Sequence, residues 1–146
     1  MRRKFLFGVI FLVIIGVVDS SHGIVFADDL IVIGNRSVPA SELSPNDVKN
    51  IFLGKKKIWE NGLKVEMVVL GDGELTDRFL KTYVKKSASL FKQHWKRQVF
   101  TGGGKPPVTF VREKDLLDYV SKTKGAVGYI SSQLYGDSVK ILSVTH

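Results

Sequence analysis

The 146-residue chain contains no cysteine, which excludes disulfide staples, thiolate nucleophiles, thiolate metal sites and the lipid-bearing cysteine of a lipoprotein. Histidine is nearly as scarce. Of three in all, His22 lies near the N-terminus and His146 ends the chain, so His94 alone stands inside the body of the sequence. A histidine-based metal site or a Ser-His-Asp triad has almost no material here, and His94, next to Trp95 and Lys96, reads as a surface or half-packed residue. No two carboxylates are spaced to suggest an acid and base pair. Gly104-Lys105 has the look of a phosphate loop, but Val99 stands where that motif needs its first glycine and Pro106 replaces its Ser or Thr, which excludes it. The chain is therefore expected to be noncatalytic, with no metal and no cofactor.

Long apolar runs are also missing, with one qualified exception. Met1-Arg2-Arg3-Lys4 is basic, and the run from Phe5 to Val18 that follows falls short of the ~20 residues of a stable membrane span before it meets Asp19, Ser20 and Ser21. Val25-Phe26-Ala27 then supplies the small residues of a cleavage site. Residues 1 to 27 read as a cleavable secretory signal and residues 28 to 146 as one small domain, with retention as an N-terminal anchor as the alternative. The expected location is periplasmic or secreted, with no stable membrane insertion after cleavage. Loss of residues 1 to 27 removes three basic residues and one acidic residue, leaving 19 Lys and Arg against 13 Asp and Glu. That excess favours anionic partners, of which nucleic acid is excluded for an exported protein and cell-envelope polyanions or small oxyanions fit better.

What is present is an alternation of strand and helix patterns. Leu30 to Ile33 is a short continuous apolar run, the pattern of a strand buried on both faces. Ser44-Pro45-Asn46-Asp47 supplies an N-cap and a proline at the first helical position, followed by Val48, Ile51 and Phe52 at helical spacing and Gly54 as the stop. Val65, Met67 and Val69 predict a second strand, and Gly71-Asp72-Gly73 leads from it into a helix marked by Leu75, Phe79, Leu80, Tyr83 and Val84. A further helix begins near Ser87 or Ser89 and carries Phe91, Trp95 and Val99. Thr101 to Pro107, with three glycines and two prolines, is a loop. Leu116, Leu117 and Val120 give a short helix ended by Lys124-Gly125, and Ala126 to Ile130 and Val139 to Val144 read as closing strands. The expected class is an α/β domain with helices on a mixed or mostly parallel sheet.

Two segments carry candidate chemistry. The first is Val69 to Phe79, where a strand enters a helix through a glycine turn, so that unpaired backbone N–H groups at Gly73, the Thr76 hydroxyl and the Arg78 guanidinium offer donors to an anion; Asp72, Glu74 and Asp77 compete for the same donors as caps. The second is the cluster Lys85, Lys86, Lys92, Lys96 and Arg97, interleaved with Phe91 and Trp95, read either as a docking face or as a solvated face with its aromatic residues in the core.

In combination these residues resemble the phosphate-type substrate-binding proteins of ABC transporters, of the periplasmic binding protein-like class. Asp47 to Lys55 followed by Ile58-Trp59 and Gly62 is similar to that family's Ile-Phe, Gly-Lys and Trp segment. The turn through Gly73 and Thr76 to Phe79 resembles its anion loop, with Glu74-Leu75 where the family has small hydrogen-bonding residues. Trp95, Phe100, Gly102, Pro106 and Pro107 resemble its short single-domain members, and Gly125 to Ile130 its Gly-Ala-Ile-Gly-Tyr return strand. The resemblance implies a periplasmic binding protein-like fold and an exported binding protein for phosphate or a related oxyanion, served by an ABC permease or another envelope protein. It implies Gly73, Thr76 and Arg78 as ligand residues, with Asn35 and Ser37 in place of the family's N-terminal Ser/Thr loop. The alternative is an interaction module of the same fold that has lost the anion and docks a protein or envelope partner through its basic helix face.

Overall fold

The computed structural model describes residues 30–145; the signal segment read at residues 1 to 27 lies outside them. The first strand, β1 (Leu30–Gly34), is followed by the two-residue β2 (Glu42–Leu43) and helix α1 (Pro45–Phe52). The start of α1 is a capping box, in which the Asp47 N–H donates to Ser44 Oγ at 3.0 Å and the Ser44 N–H donates to the Asp47 carboxylate at 3.0 Å. Its apolar stripe, Val48, Ile51 and Phe52, is fully buried.

Strand β3 (Glu66–Leu70) enters α2 (Glu74–Phe79), which continues without a break as a π-helical turn over Leu80–Val84 and stops at Lys85 in the left-handed region. Helix α3 (Ala88–Phe100) is capped by Ser87. Then come the three-residue β4 (Val108–Phe110), α4 (Glu113–Lys122), β5 (Ala126–Ser131) and two short strands, β6 (Lys140–Ile141) and β7 (Ser143–Val144). β4 falls just beyond the predicted loop, and the single strand expected over Val139 to Val144 divides in two.

The main sheet has the order β4-β3-β5-β1-β6. β3 runs parallel to β4 and β5, while β1 pairs antiparallel with β5 and β6. Four of its five strands thus point the same way with β1 reversed between β5 and β6, and β2 and β7 form a separate parallel pair. This is the expected mixed, mostly parallel α/β sheet. Alternation along β5 sends neighbouring residues to opposite faces. Gly128 lies under Leu116 of α4, where an added Cβ would stand 3.0 Å from a Leu116 methyl. Tyr129 stacks on Phe79 with ring centroids 4.0 Å apart, and Phe52 packs edge-on against Phe79. Helices therefore cover both faces.

Gly125 ties the pieces together at the amino end of β5. Its φ of +76° suits glycine, and an added Cβ would fall 2.1 Å from the Lys64 carbonyl oxygen. Its carbonyl accepts from Trp59 Nε1 at 2.9 Å and from the Glu66 N–H, and its own N–H donates to Ser37 Oγ at 3.0 Å.

Candidate functional site

The chain leaves β3 for β4 at the sheet edge, then passes back over it to β5. The direction in which strands are added therefore reverses at the carboxyl end of β3, and open α/β sheets bind ligands in the crevice at such a point. A cavity of about 770 Å³ opens there, lined by Val69, Leu70, Gly71 and Thr76 from β3, the turn after it and the start of α2. Val69 and Thr109, partners across the parallel β3-β4 register, form its floor. Phe91, Trp95, Val99 and Phe100 of α3 make one wall, and Pro106 and Pro107 another. Lys92 and Lys96 stand on the α3 side, with Asp72 facing them from the turn.

The wall is held in place from behind. Trp95 Nε1 donates to the Phe52 carbonyl at 3.1 Å, and His94 Nε2 is 2.9 Å from the Leu53 carbonyl. Those are among the last carbonyls of α1, which have no partner within their own helix. Two side chains of α3 thus finish α1, and His94 is a half-packed structural residue, as its sequence context suggests. Across the mouth, Lys92 Nζ meets the Asp72 carboxylate at 2.6 Å; both are largely exposed, so the pair adds little stability. Lys96 has no carboxylate within ion-pair distance among the described residues.

The turn is fixed by a hydroxyl chain. Thr76 Oγ1 is 2.9 Å from the Gly71 carbonyl and 2.9 Å from the Tyr129 hydroxyl, and the Leu70 N–H donates to that hydroxyl at 3.1 Å. One proton assignment satisfies all three contacts: Thr76 donates to Gly71, Tyr129 donates to Thr76, and Tyr129 oxygen accepts from Leu70. Burial pushes the Tyr129 phenol above its ordinary pKa, against its hydrogen bonds with Thr76 and the Leu70 N–H, which pull the other way. The proton this chain needs is therefore retained at neutral pH.

The five residues picked from the sequence are distributed over the fold. Gly73 caps α2 and Thr76 stands in its first turn, but Thr76 alone of the five lines the cavity, and its one donor is spent on Gly71. Arg78, two positions on and so about 200° round the helix from Thr76, is half-exposed and not part of the lining. Asn35 and Ser37 follow β1, whose end pairs with the start of β5, so they sit at the opposite end of the sheet from the turn. Their donors are occupied there. The Asn35 amide donates to the Val120 and Ser121 carbonyls at 2.8 and 3.0 Å, closing the end of α4, and its Oδ1 accepts from both the N–H and the hydroxyl of Ser37.

In place of the other four, the structure brings Lys92 and Lys96 to the cavity. Of the two readings of the basic cluster, the buried aromatic one holds for Phe91 and Trp95, while the lysines beside them line the mouth. A smaller cleft of about 350 Å³ lies on the other side of Trp95 and the two prolines, bordered by Lys56, Lys57, Lys64 and Lys105. No group of three or more potential metal ligands occurs among the described residues, and no helix among them is long and apolar enough to cross a membrane.

Residues 19–140 match the family model of the PBP superfamily domain. None of the curated proteins matches the chain. Among solved structures, a phosphate ABC transporter substrate-binding protein from Clostridium perfringens, determined with bound phosphate, superposes with a TM-score of 0.65 at 21% identity, over 80% of this chain and 45% of that one. PstS from Borrelia burgdorferi gives a TM-score of 0.61 at 16% identity, covering 81% of this chain and 47% of its own. An ABC-type phosphate transport receptor from Vibrio cholerae gives 0.55 at 16%, covering 79% and 45%. The chain thus spans less than half the length of each of these proteins.

Proposed function

Because the chain belongs to the PBP superfamily, we propose that it is an exported, noncatalytic solute-binding protein of the ABC-transporter type, which takes phosphate or a related oxyanion at the carboxyl ends of β3 and β4. The observation that carries this reading is the cavity at the point where strand order reverses, with two lysine ammonium groups against one carboxylate at its mouth. Lys92 and Lys96 attract the oxyanion, the Gly71-Asp72-Gly73 backbone borders it, and Thr76 keeps that backbone in place. Asn35 and Ser37 act in this reading through the frame, by closing the end of α4. A permease or another envelope protein is the receiving partner, and export through residues 1 to 27 puts the domain in the periplasm or outside the cell.

The test is a thermal-shift titration of the purified protein with inorganic phosphate, sulfate and a short organic phosphate at matched ionic strength. Ligand at a hundred times its dissociation constant stabilises a fold by about 2.7 kcal/mol. A rise in Tm that Lys92→Glu together with Lys96→Glu removes is the expected result. No response to any of the three anions at millimolar concentration refutes the reading.

One observation favours a second reading, an interaction module with the same fold. Val99 and Phe100 of α3 are exposed beside the lysines, Phe100 by 93%. Capture of an envelope protein that survives saturating anion and is lost on Phe100→Ser would favour that module.

A further inference from the structure

The polar and apolar parts of the cavity are sharply divided. Its interior is made of Val69, Leu80, Phe91, Trp95 and Pro107. The side-chain hydroxyl and indole donors that reach it are engaged: the Thr76 hydroxyl donates to Gly71, Trp95 Nε1 donates to Phe52, and the Thr109 hydroxyl faces the Pro107 carbonyl at 3.4 Å. An inorganic anion drawn inside, past the Gly71-Asp72 backbone at the end of β3, would give up its hydration with no free side-chain donor to replace it, which is unfavourable. Positive charge is confined to the mouth, where Lys92 and Lys96 stand. The volume, about 770 Å³, is in the range of cavities that enclose whole organic molecules, roughly 300 to 1,000 Å³. At the rim Phe100 is 93% exposed and Val99 47% exposed, so apolar surface extends the wall outward.

We infer that the solute is an amphipathic organic oxyanion: a small molecule whose alkyl or aryl body fills the space between α3 and the β3-β4 floor while a single phosphate-like or carboxylate head stays at the mouth on Lys92 and Lys96. This rests on the reading of the cavity as the solute site and narrows its ligand class. An apolar body gains by removing the floor and walls from water, and the head keeps its ion pairing and part of its hydration. Inorganic phosphate has the head without the body and is held only at the mouth.

The test is calorimetric titration of the purified protein with three probes: inorganic phosphate, n-octyl phosphate below its micellar concentration, and neutral n-octyl glucoside. Octyl phosphate is expected to bind at least tenfold more tightly than either of the others. Thr109→Trp, an exposed edge-strand position that fills the floor, abolishes that binding, and circular dichroism checks that the fold is retained. Val99→Asp, at an exposed helix position, provides a second block should the first variant misfold. Lys96→Glu weakens octyl phosphate while leaving octyl glucoside unchanged, whereas Lys105→Glu, in the neighbouring cleft, affects neither.

Equal affinity for inorganic and octyl phosphate overturns the inference while leaving the oxyanion-binding function standing. Octyl glucoside binding as tightly as octyl phosphate overturns both. Octyl phosphate binding that survives Thr109→Trp and Val99→Asp places the ligand elsewhere and also overturns it. Binding to anionic-lipid vesicles with none to monomeric octyl phosphate makes the groove a membrane contact and overturns it as well.

Discussion

Replacement of Tyr129 by Phe is the most direct probe of what holds the cavity's turn in place. The ring is fully buried and stacked on Phe79, and the substitution keeps that packing while deleting one oxygen. Two partners are affected unequally. Thr76 retains the Gly71 carbonyl as its acceptor and loses only an incoming bond. The Leu70 N–H loses its acceptor in a place where backbone pairing between β3 and β5 involves Glu66 and Met67 instead. A buried donor left without a partner costs about 1–3 kcal/mol. A loss near 2 kcal/mol is expected, lowering Tm by roughly 8 °C for a domain of this size. Urea denaturation with an unchanged m-value is the assay. Thr76→Val in the same background completes a cycle, and the double variant should lose less than the two single losses added together. The alkaline side gives an independent check. Burial holds the phenol above its usual 10.0, so the stability it contributes is complete below pH 10 and is lost as pH rises through the folded value. Tyr129→Phe should flatten that limb. A loss under 0.5 kcal/mol with additive behaviour would refute the reasoning, showing that water or another acceptor serves Leu70.

Gly125→Ala meets the Lys64 carbonyl at 2.1 Å and a φ of +76°, so it should destabilise by more than the roughly 1–2 kcal/mol of left-handed strain alone, as read by urea midpoint. Gly54→Ala combines a φ of +73° with a contact 2.6 Å from the Trp95 ring; it should lower stability by a similar amount and weaken octyl phosphate binding severalfold although residue 54 does not touch the cavity. Asp47 is held below its usual pKa mainly by its hydrogen bonds from Ser44. The stability it gives is present above pH 3.8 and lost as pH falls through the lower folded value. Asp47→Asn should therefore cost about 1 kcal/mol at pH 7 and reduce the acid-limb slope in pH-dependent denaturation.

The strand and helix pattern of the fold was legible because it is local. Ser44-Pro45 announces α1 two residues at a time, and the apolar runs at Leu30 and Ala126 announce the strands that end up central. The reversal of β1 was not legible, since an apolar run buried on both faces carries no direction. β4 was missed for a similar reason: three residues behind two prolines give too short a pattern, and the parallel neighbour β3 is what makes them a strand. At the candidate site, residue type identified donors correctly, but availability depends on distant partners. Asn35 and Ser37 have the right chemistry for an anion and use it on the end of α4 and on each other. Thr76 does the same with Gly71. The lysines at the mouth were visible as a cluster, and only packing of Phe91 and Trp95 into the core turned two of them toward a cavity.

The attachment of α3 to the end of α1 also bears on time. A wall fastened by Trp95 and His94 to backbone carbonyls cannot swing aside without leaving the last turn of α1 unfinished. The opening is accordingly there before any solute arrives. Association then has no closing step to wait for, and its observed rate should rise in proportion to solute concentration without reaching a plateau, with differences between solutes expressed in how long each one stays.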